Sequence, residues 1–233
     1  MTILNVFSNK CFRTAFRCTI PVMLGYLAIG TAFGLLLANA GYSWLIALLM
    51  SVVIYAGAGQ YIAVSMFAQN ADFAEIALVT LLVNARHMVY GLSLLDKFRD
   101  TKPITPYLIF ALTDETYSLL TTVTVPEDVN KRDFYFYISL LDHFYWIAGS
   151  VIGAWFGSIL TSFDCTGLSF ALTALFMVLL IEQWKQCRSK LPFIIAAIVS
   201  VFVLIFISRE NMLIFSLLIS IVALILLRRR LPS

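Results

Sequence analysis

Leu81-Leu82-Val83-Asn84-Ala85-Arg86-His87-Met88-Val89-Tyr90-Gly91 puts an arginine and a histidine at the centre of an apolar run extending from Phe73 to Leu95. A helix of that length spans a hydrocarbon core of about 30 Å. Arginine at the middle of such a helix costs about 2.5–3.5 kcal/mol on insertion scales, so a charge kept there marks a functional site by default.

The surrounding chain has the same apolar character. Of its 233 residues, 61% are hydrophobic and 12% charged, whereas a soluble domain carries about 25% charged residues. Apolar runs recur from end to end, which leaves no stretch for a soluble catalytic or nucleic-acid-binding domain and predicts a single membrane domain over 1–233. The net charge of +3 is small and sits mostly in loops and termini, as orientation signals do, so a nucleic-acid partner is not expected. Cys11, Cys18, Cys165 and Cys187 form no C-x-x-C pair and have no histidine cluster beside them, so neither a metal nor a cofactor is expected. Lys10, Arg13 and Arg17 precede the first apolar run without a small-residue cleavage site after it, which reads as an uncleaved first span.

Windows of bilayer length fall near 18–38, 43–68, 73–95, 104–124, 133–160, 167–184, 191–208 and 211–227. They predict an all-α, polytopic membrane helix bundle of seven or eight spans. Two windows are irregular: 43–68 is overlong and contains Ala56-Gly57-Ala58-Gly59-Gln60, and 104–124 carries Asp114 and Glu115 near its centre. Either can be broken or re-entrant, as the helices at transporter sites are. Close helix packing through small residues is the alternative for the glycines. An internal repeat is visible, because Ile29-Gly30-Thr31-Ala32-Phe33-Gly34 matches Ile152-Gly153-Ala154-Trp155-Phe156-Gly157 at four of six positions. It divides the chain into halves at about 18–124 and 133–227.

Basic residues orient the windows only in part. Eight spans with the N-terminus inside place eleven lysines and arginines in the cytoplasm against four outside; a non-crossing 104–124 with the N-terminus outside gives the same score. The first arrangement makes the halves parallel and the second makes them inverted. Both put Arg228, Arg229 and Arg230 in the cytoplasm.

Arg86 offers forked, permanently charged donors suited to a carboxylate, either a substrate's or an acidic side chain's in a structural ion pair. Gly57, Gly59, Gln60, Asn84 and Arg86 are therefore the candidate substrate-binding residues. Asn84 lies two residues from Arg86, on a different helix face. Thr113-Asp114-Glu115-Thr116 is the densest polar cluster in an apolar window. Two neighbouring carboxyls in a dry site do not both stay charged cheaply, so Asp114 and Glu115, with His87, are candidates for proton coupling; helix-end caps are the alternative. His143 falls inside an apolar window, where a satisfied packing histidine is the commoner outcome; with Asp142 before it and Tyr145-Trp146 after it, an interfacial belt is the alternative.

At these residues the chain resembles the branched-chain amino acid exporter family, whose large subunit is of the AzlC type. The likeness rests on Pro21, Gly25, Gly30, Phe33 and Gly34, on Ala56-Gly57-Ala58-Gly59-Gln60, on Leu82-Val83-Asn84-Ala85-Arg86-His87 with Gly91-Leu92-Ser93, on Ala111-Leu112-Thr113-Asp114-Glu115-Thr116, and on Ala171-Leu172-Thr173-Ala174-Leu175-Phe176. It covers roughly 17–185. Tyr61, Ala85 and Thr173 depart from the phenylalanine, leucine and proline usual at those places. The resemblance implies export of hydrophobic amino acids across a bacterial inner membrane, together with a small AzlD-type membrane subunit. Gly149, Gly153 and Gly157, spaced by four, are small enough to admit such a partner helix. No G-x-x-x-x-G-K-S/T loop is present, so a proton gradient is the expected energy source. A scaffold subunit is the runner-up, and an intramembrane enzyme is disfavoured by the lack of H-E-x-x-H and G-x-S-x-G patterns.

Overall fold

Apolar segments this long can pair their backbone groups only with one another, and those among the described residues form helices. The computed structural model describes residues 10–68, 71–159, 190–206 and 212–227, with isolated positions between 177 and 185. Within them run α1 (Lys10–Asn39), α2 (Trp44–Val53), α3 (Gly57–Ala68), α4 (Phe73–Leu94), α5 (Thr105–Phe110), α6 (Asp114–Thr122), α7 (Lys131–Ile159), α8 (Leu191–Phe206) and α9 (Met212–Leu227). By length and composition, α1 and α4 are able to cross a membrane. The motif Ala171-Leu172-Thr173-Ala174-Leu175-Phe176, and Arg228 to Arg230, lie outside the described residues.

The long helices α1 and α7 form the spine, and they run in the same direction. Lys10 pairs with Asp128 just before α7, Phe12 meets Tyr137 at 5.5 Å between ring centroids, and the Thr19 and Tyr145 hydroxyls are 3.1 Å apart. Further along, a Cβ on Gly30 would lie 3.1 Å from the Ser150 nitrogen, and one on Gly34 would lie 2.5 Å from the Ala154 nitrogen. Gly149 and Gly153 answer from the other side, against the backbone of Tyr26, Leu27 and Thr31. The two copies of the repeated glycine motif are thus packed on each other, backbone against backbone, as small residues allow in membranes. This corrects the reading of Gly149, Gly153 and Gly157 as a face open to a partner: α1 fills it, with Ala38 and Leu35 against Gly157. Gly41, at φ +87°, then ends α1. The Gly41 and Tyr42 amides donate to the carbonyls of Ala38 and Leu37, which lets the chain turn back.

Both irregular windows are broken, and each doubles back to the end it came from. α2 descends from the Asn39 end until Ser51 and Tyr55 reach His143. α3 starts beside Trp146 and climbs past Ile29 and Phe33 until Phe67 meets Tyr42, 5.6 Å away at the Asn39 end. α4 runs the full depth, from its Val79 packed near Ile62 and Met66 to Lys97, which donates to the Leu120 carbonyl and lies over the Tyr135 ring at the Lys10 end. From there α5 rises until Phe110 lies 5.8 Å from His143, and α6 returns to the same end. The α2–α3 and α5–α6 hairpins enter from opposite ends. Their second limbs, α3 and α6, begin with N-termini facing one another midway along the spine.

The α2–α3 break is a short one. Tyr55 adopts φ +43°, a left-handed conformation uncommon for a bulky residue. Its ring stacks on His143 at 4.2 Å, and such surroundings hold a conformation that would otherwise cost about 1–3 kcal/mol. The outward faces stay apolar: Phe73, Leu81, Met88 and Leu92 on α4, and Ile198, Phe206 and Leu226 on α8 and α9, are all exposed. Ala85 is on the exposed side of α4 as well, so its small side chain adds no room at the helix ends.

Candidate functional site

Where the two breaks face each other, a cavity is lined by Tyr26, Ile29, Tyr55, Gly57, Ala58, Arg86, His87, Thr113, Asp114, Glu115 and Trp146. The first amides of a helix have no partner within it and carry a partial positive charge. At α6 that charge is already met: Thr113 caps the helix by accepting from the Thr116 amide at 3.2 Å, and Asp114 and Glu115 occupy the first turn. At α3 no acidic residue stands in the first turn. One side of the cavity is therefore electropositive and the other acidic.

Arg86 reaches in from α4. Its Nη2 pairs with Asp114 Oδ2 at 3.0 Å, and the Tyr90 hydroxyl donates to Asp114 Oδ1 at 2.6 Å. Arg86 Nε is buried and meets no partner. The guanidinium thus makes one bond to its carboxylate where a fork could make two, and a donor is left beside the cavity. Asp114 and Glu115, adjacent in sequence, do not face each other: Glu115 Oε2 is hydrogen-bonded with the Tyr26 hydroxyl at 2.8 Å.

Of the residues singled out by sequence, Gly57, Arg86, His87, Asp114 and Glu115 line the cavity. Gly59, Gln60 and Asn84 stand behind it. A Cβ on Gly59 would lie 2.8 Å from the Asn84 amide nitrogen, so glycine there lets α4 come close. Asn84 Oδ1 is buried without a partner. Gln60 is fully buried and ties the break together: its Oε1 accepts from the Ala56 amide at 3.2 Å and from the Trp146 indole at 2.9 Å. Replacing Gln60 with alanine leaves both donors unmet, at about 1–3 kcal/mol each. Thermal unfolding in detergent is expected to shift to lower temperature, and an unchanged midpoint would show that the clamp carries no weight.

Sequence reading gave Tyr26 and Trp146 no part in the site and left Asp142 as intramembrane or nearly so, between interior and interface. The grouping weighed as an interfacial belt is deeply placed: Asp142 is 0% exposed, and His143, Tyr145 and Trp146 are also buried. His143 Nε2 lies 3.1 Å from the Ser51 carbonyl and its Nδ1 lies 3.3 Å from the Tyr107 hydroxyl, joining both hairpins to α7. The signal was available in α7 itself, since Lys131 and Arg132 mark where that helix leaves water, about three turns before Asp142.

Facing half-helix ends around a charged interior cavity define a membrane protein of the discontinuous-helix type. The chain belongs to the AzlC family, described as AzlC protein, which matches it over residues 21–160. It is 43% identical over 222 residues to an uncharacterized membrane protein of Helicobacter pylori, covering 95% of this chain and 97% of that one. It is 42% identical over 175 residues, 75% of this chain and 68% of the other, to the branched-chain amino acid transport protein AzlC of Bacillus subtilis. The inner membrane protein YgaZ of Escherichia coli is 31% identical over 189 residues, 78% of this chain and 76% of its own. No solved structure matches.

Proposed function

We propose that this chain is the substrate-handling subunit of a secondary exporter of branched-chain or other hydrophobic amino acids. The observation that carries the reading is the polarity of the cavity. Its charges complement a zwitterion whose carboxylate lies toward the α3 amides at Gly57 and Ala58 and the Arg86 guanidinium, and whose ammonium lies toward Glu115. Ile29 and Trp146 supply an apolar wall. The name of the Bacillus subtilis relative supports the substrate class. Export is coupled to protons through the cavity acids and His87, and it involves a small AzlD-type subunit. Efflux of labelled valine, leucine and isoleucine from cells expressing this chain, with and without that neighbour, tests the reading; no flux in either case rejects it. A scaffold role is the second reading, favoured by the Arg86–Asp114 pair, which a purely structural arginine would also make.

Re-entrant hairpins change the orientation argument. With α1, α4, α7, α8 and α9 read as crossing, α2–α3 and α5–α6 turning back, and one further span allowed for the apolar 167–184 window from its sequence alone, the count becomes six in place of seven or eight. The Lys10 end then gathers Lys10, Arg13, Arg17, Lys97, Arg99, Lys102, Lys131, Arg132, Lys185, Arg188, Lys190, Arg228, Arg229 and Arg230, with Arg209 alone opposite. That asymmetry exceeds either earlier arrangement and supports a bacterial inner-membrane protein with both the N-terminal end of α1 and the C-terminus in the cytoplasm. Reporter fusions at 98–102, at 127–130 and at the C-terminus are all expected to read cytoplasmic. A periplasmic signal from 98–102 alone would mean that α5–α6 crosses.

A further inference from the structure

Behind the cavity, a file of side chains leads from Glu115 to Asp142. The Tyr26 hydroxyl is 2.8 Å from Glu115 Oε2 and bonds to the Thr113 hydroxyl. The Thr113 hydroxyl donates to that of Thr116 at 3.1 Å, which donates to Asp142 Oδ2 at 2.9 Å. These are four hydrogen bonds in series between two carboxyl groups. Each needs one proton, and the three hydroxyls own one apiece. The fourth proton has to sit on a carboxyl.

We propose that Glu115 and Asp142 share a single proton through Tyr26, Thr113 and Thr116. This rests on the reading of the protein as a proton-coupled exporter and names the site where the proton is held. With the proton on Glu115, the carboxyl donates to Tyr26 and every hydroxyl points toward Asp142. Passing one proton along each link leaves Glu115 as carboxylate and Asp142 as acid, with all three hydroxyls reversed. The heavy atoms stay in place, one bond to hydrogen breaks and one forms at each hydroxyl, and the net result is one proton moved from the cavity to the interior of α7.

The surroundings of Asp142 fit a neutral acid as one of the two end states. It is 0% exposed, and its Oδ1 meets no partner. The titratable groups that face it are Tyr26 of α1, Tyr55 of the α2–α3 break, Tyr107 of α5, Glu115 of α6 and Tyr145 of α7 itself. None of these is a cation, and among the described residues no basic side chain forms an ion pair with Asp142. Ser139, three residues earlier on α7, is likewise buried with an unpartnered hydroxyl. Asp114 stands apart from it, since its oxygens are taken by Arg86 and Tyr90.

Infrared spectroscopy of the protein in lipid at neutral pH tests the sharing through the carbonyl band of a protonated carboxyl and its shift in heavy water. One such band is expected in the wild type, lost in Glu115→Gln and lost equally in Asp142→Asn, because each amide supplies the missing donor at its own end. A band absent from the wild type, surviving both substitutions, or lost in only one of them overturns the proposal. If Asp142→Asn fails to accumulate, Thr116→Val carries the test by cutting the file with both carboxyls intact. The band is then expected to move, while Thr116→Ser keeps the wild-type position; an unchanged band in Thr116→Val overturns the sharing. Efflux by the wild type that ignores the pH gradient would reject proton coupling while leaving the infrared result standing.

Discussion

Arg86→Lys is expected to lower amino acid efflux while the protein still accumulates in the membrane. A lysine ammonium reaching Asp114 preserves the pairing of charges, since the observed contact uses only one guanidinium nitrogen. What it loses is the second, differently aimed donor, because lysine presents a point charge and arginine a planar fork. A hydrogen bond to a charged group contributes about 1.5–3 kcal/mol, so the loss corresponds to roughly a tenfold to hundredfold drop in kcat/KM. Wild-type efflux in Arg86→Lys would return the residue to a structural role. Disappearance of Arg86→Lys from the membrane would favour the scaffold reading.

Gly153→Leu is expected to abolish accumulation of the folded protein. At Gly153 even a methyl group would be driven into the Thr31 carbonyl oxygen, with the Thr31 Cα 2.8 Å away. Overpacking against side chains usually costs about 1–3 kcal/mol because side chains can shift. Here the obstacle is helical backbone, and the helices would have to part along their length. Gly25 supplies the control: a Cβ there meets nothing within 4 Å, so Gly25→Ala is expected to accumulate normally and to gain up to about 1 kcal/mol of helix preference. Quantitative membrane blots and fluorescence-detected gel filtration read both outcomes. Monodisperse Gly153→Leu at wild-type amount would contradict the close approach.

Much of this arrangement could be read from residue type alone, and the part that could not has a physical reason. Glycines in Ala56-Gly57-Ala58-Gly59-Gln60 and acids in Thr113-Asp114-Glu115-Thr116 marked both breaks, because neither pattern suits the middle of an uninterrupted apolar helix. Their re-entrant course was left open, since a hairpin and a kinked span share the same hydropathy and differ only in which end the second limb returns to. Contacts far apart in sequence decide that, such as Phe67 with Tyr42 and Lys97 with Leu120. The glycine motif was legible as a repeat, but spacing by four says only that something comes close. That the visitor is the first copy of the motif itself depends on α1 and α7 running parallel. Gln60 drew attention as a polar group beside glycines, and its buried carbonyl serves the fold instead of facing the cavity. Asp142 was left between interior and interface because aromatic neighbours are as common at interfaces as in interiors, and only the start of α7 at Lys131 reveals its depth.

The seam between α1 and α7 also limits how such a molecule can move. Helices that touch through side chains can slide past one another by exchanging rotamers, but a seam of carbonyls and α-carbons has no such slack, and displacement along it would collide at Gly34 and again at Gly153. The pair is therefore a fixed mast. Whatever opens the cavity first to one side and then to the other has to be hung from that mast, and the two hairpins, held to it at their tips by side chains such as His143 and Tyr26 and not by backbone, are the parts able to shift.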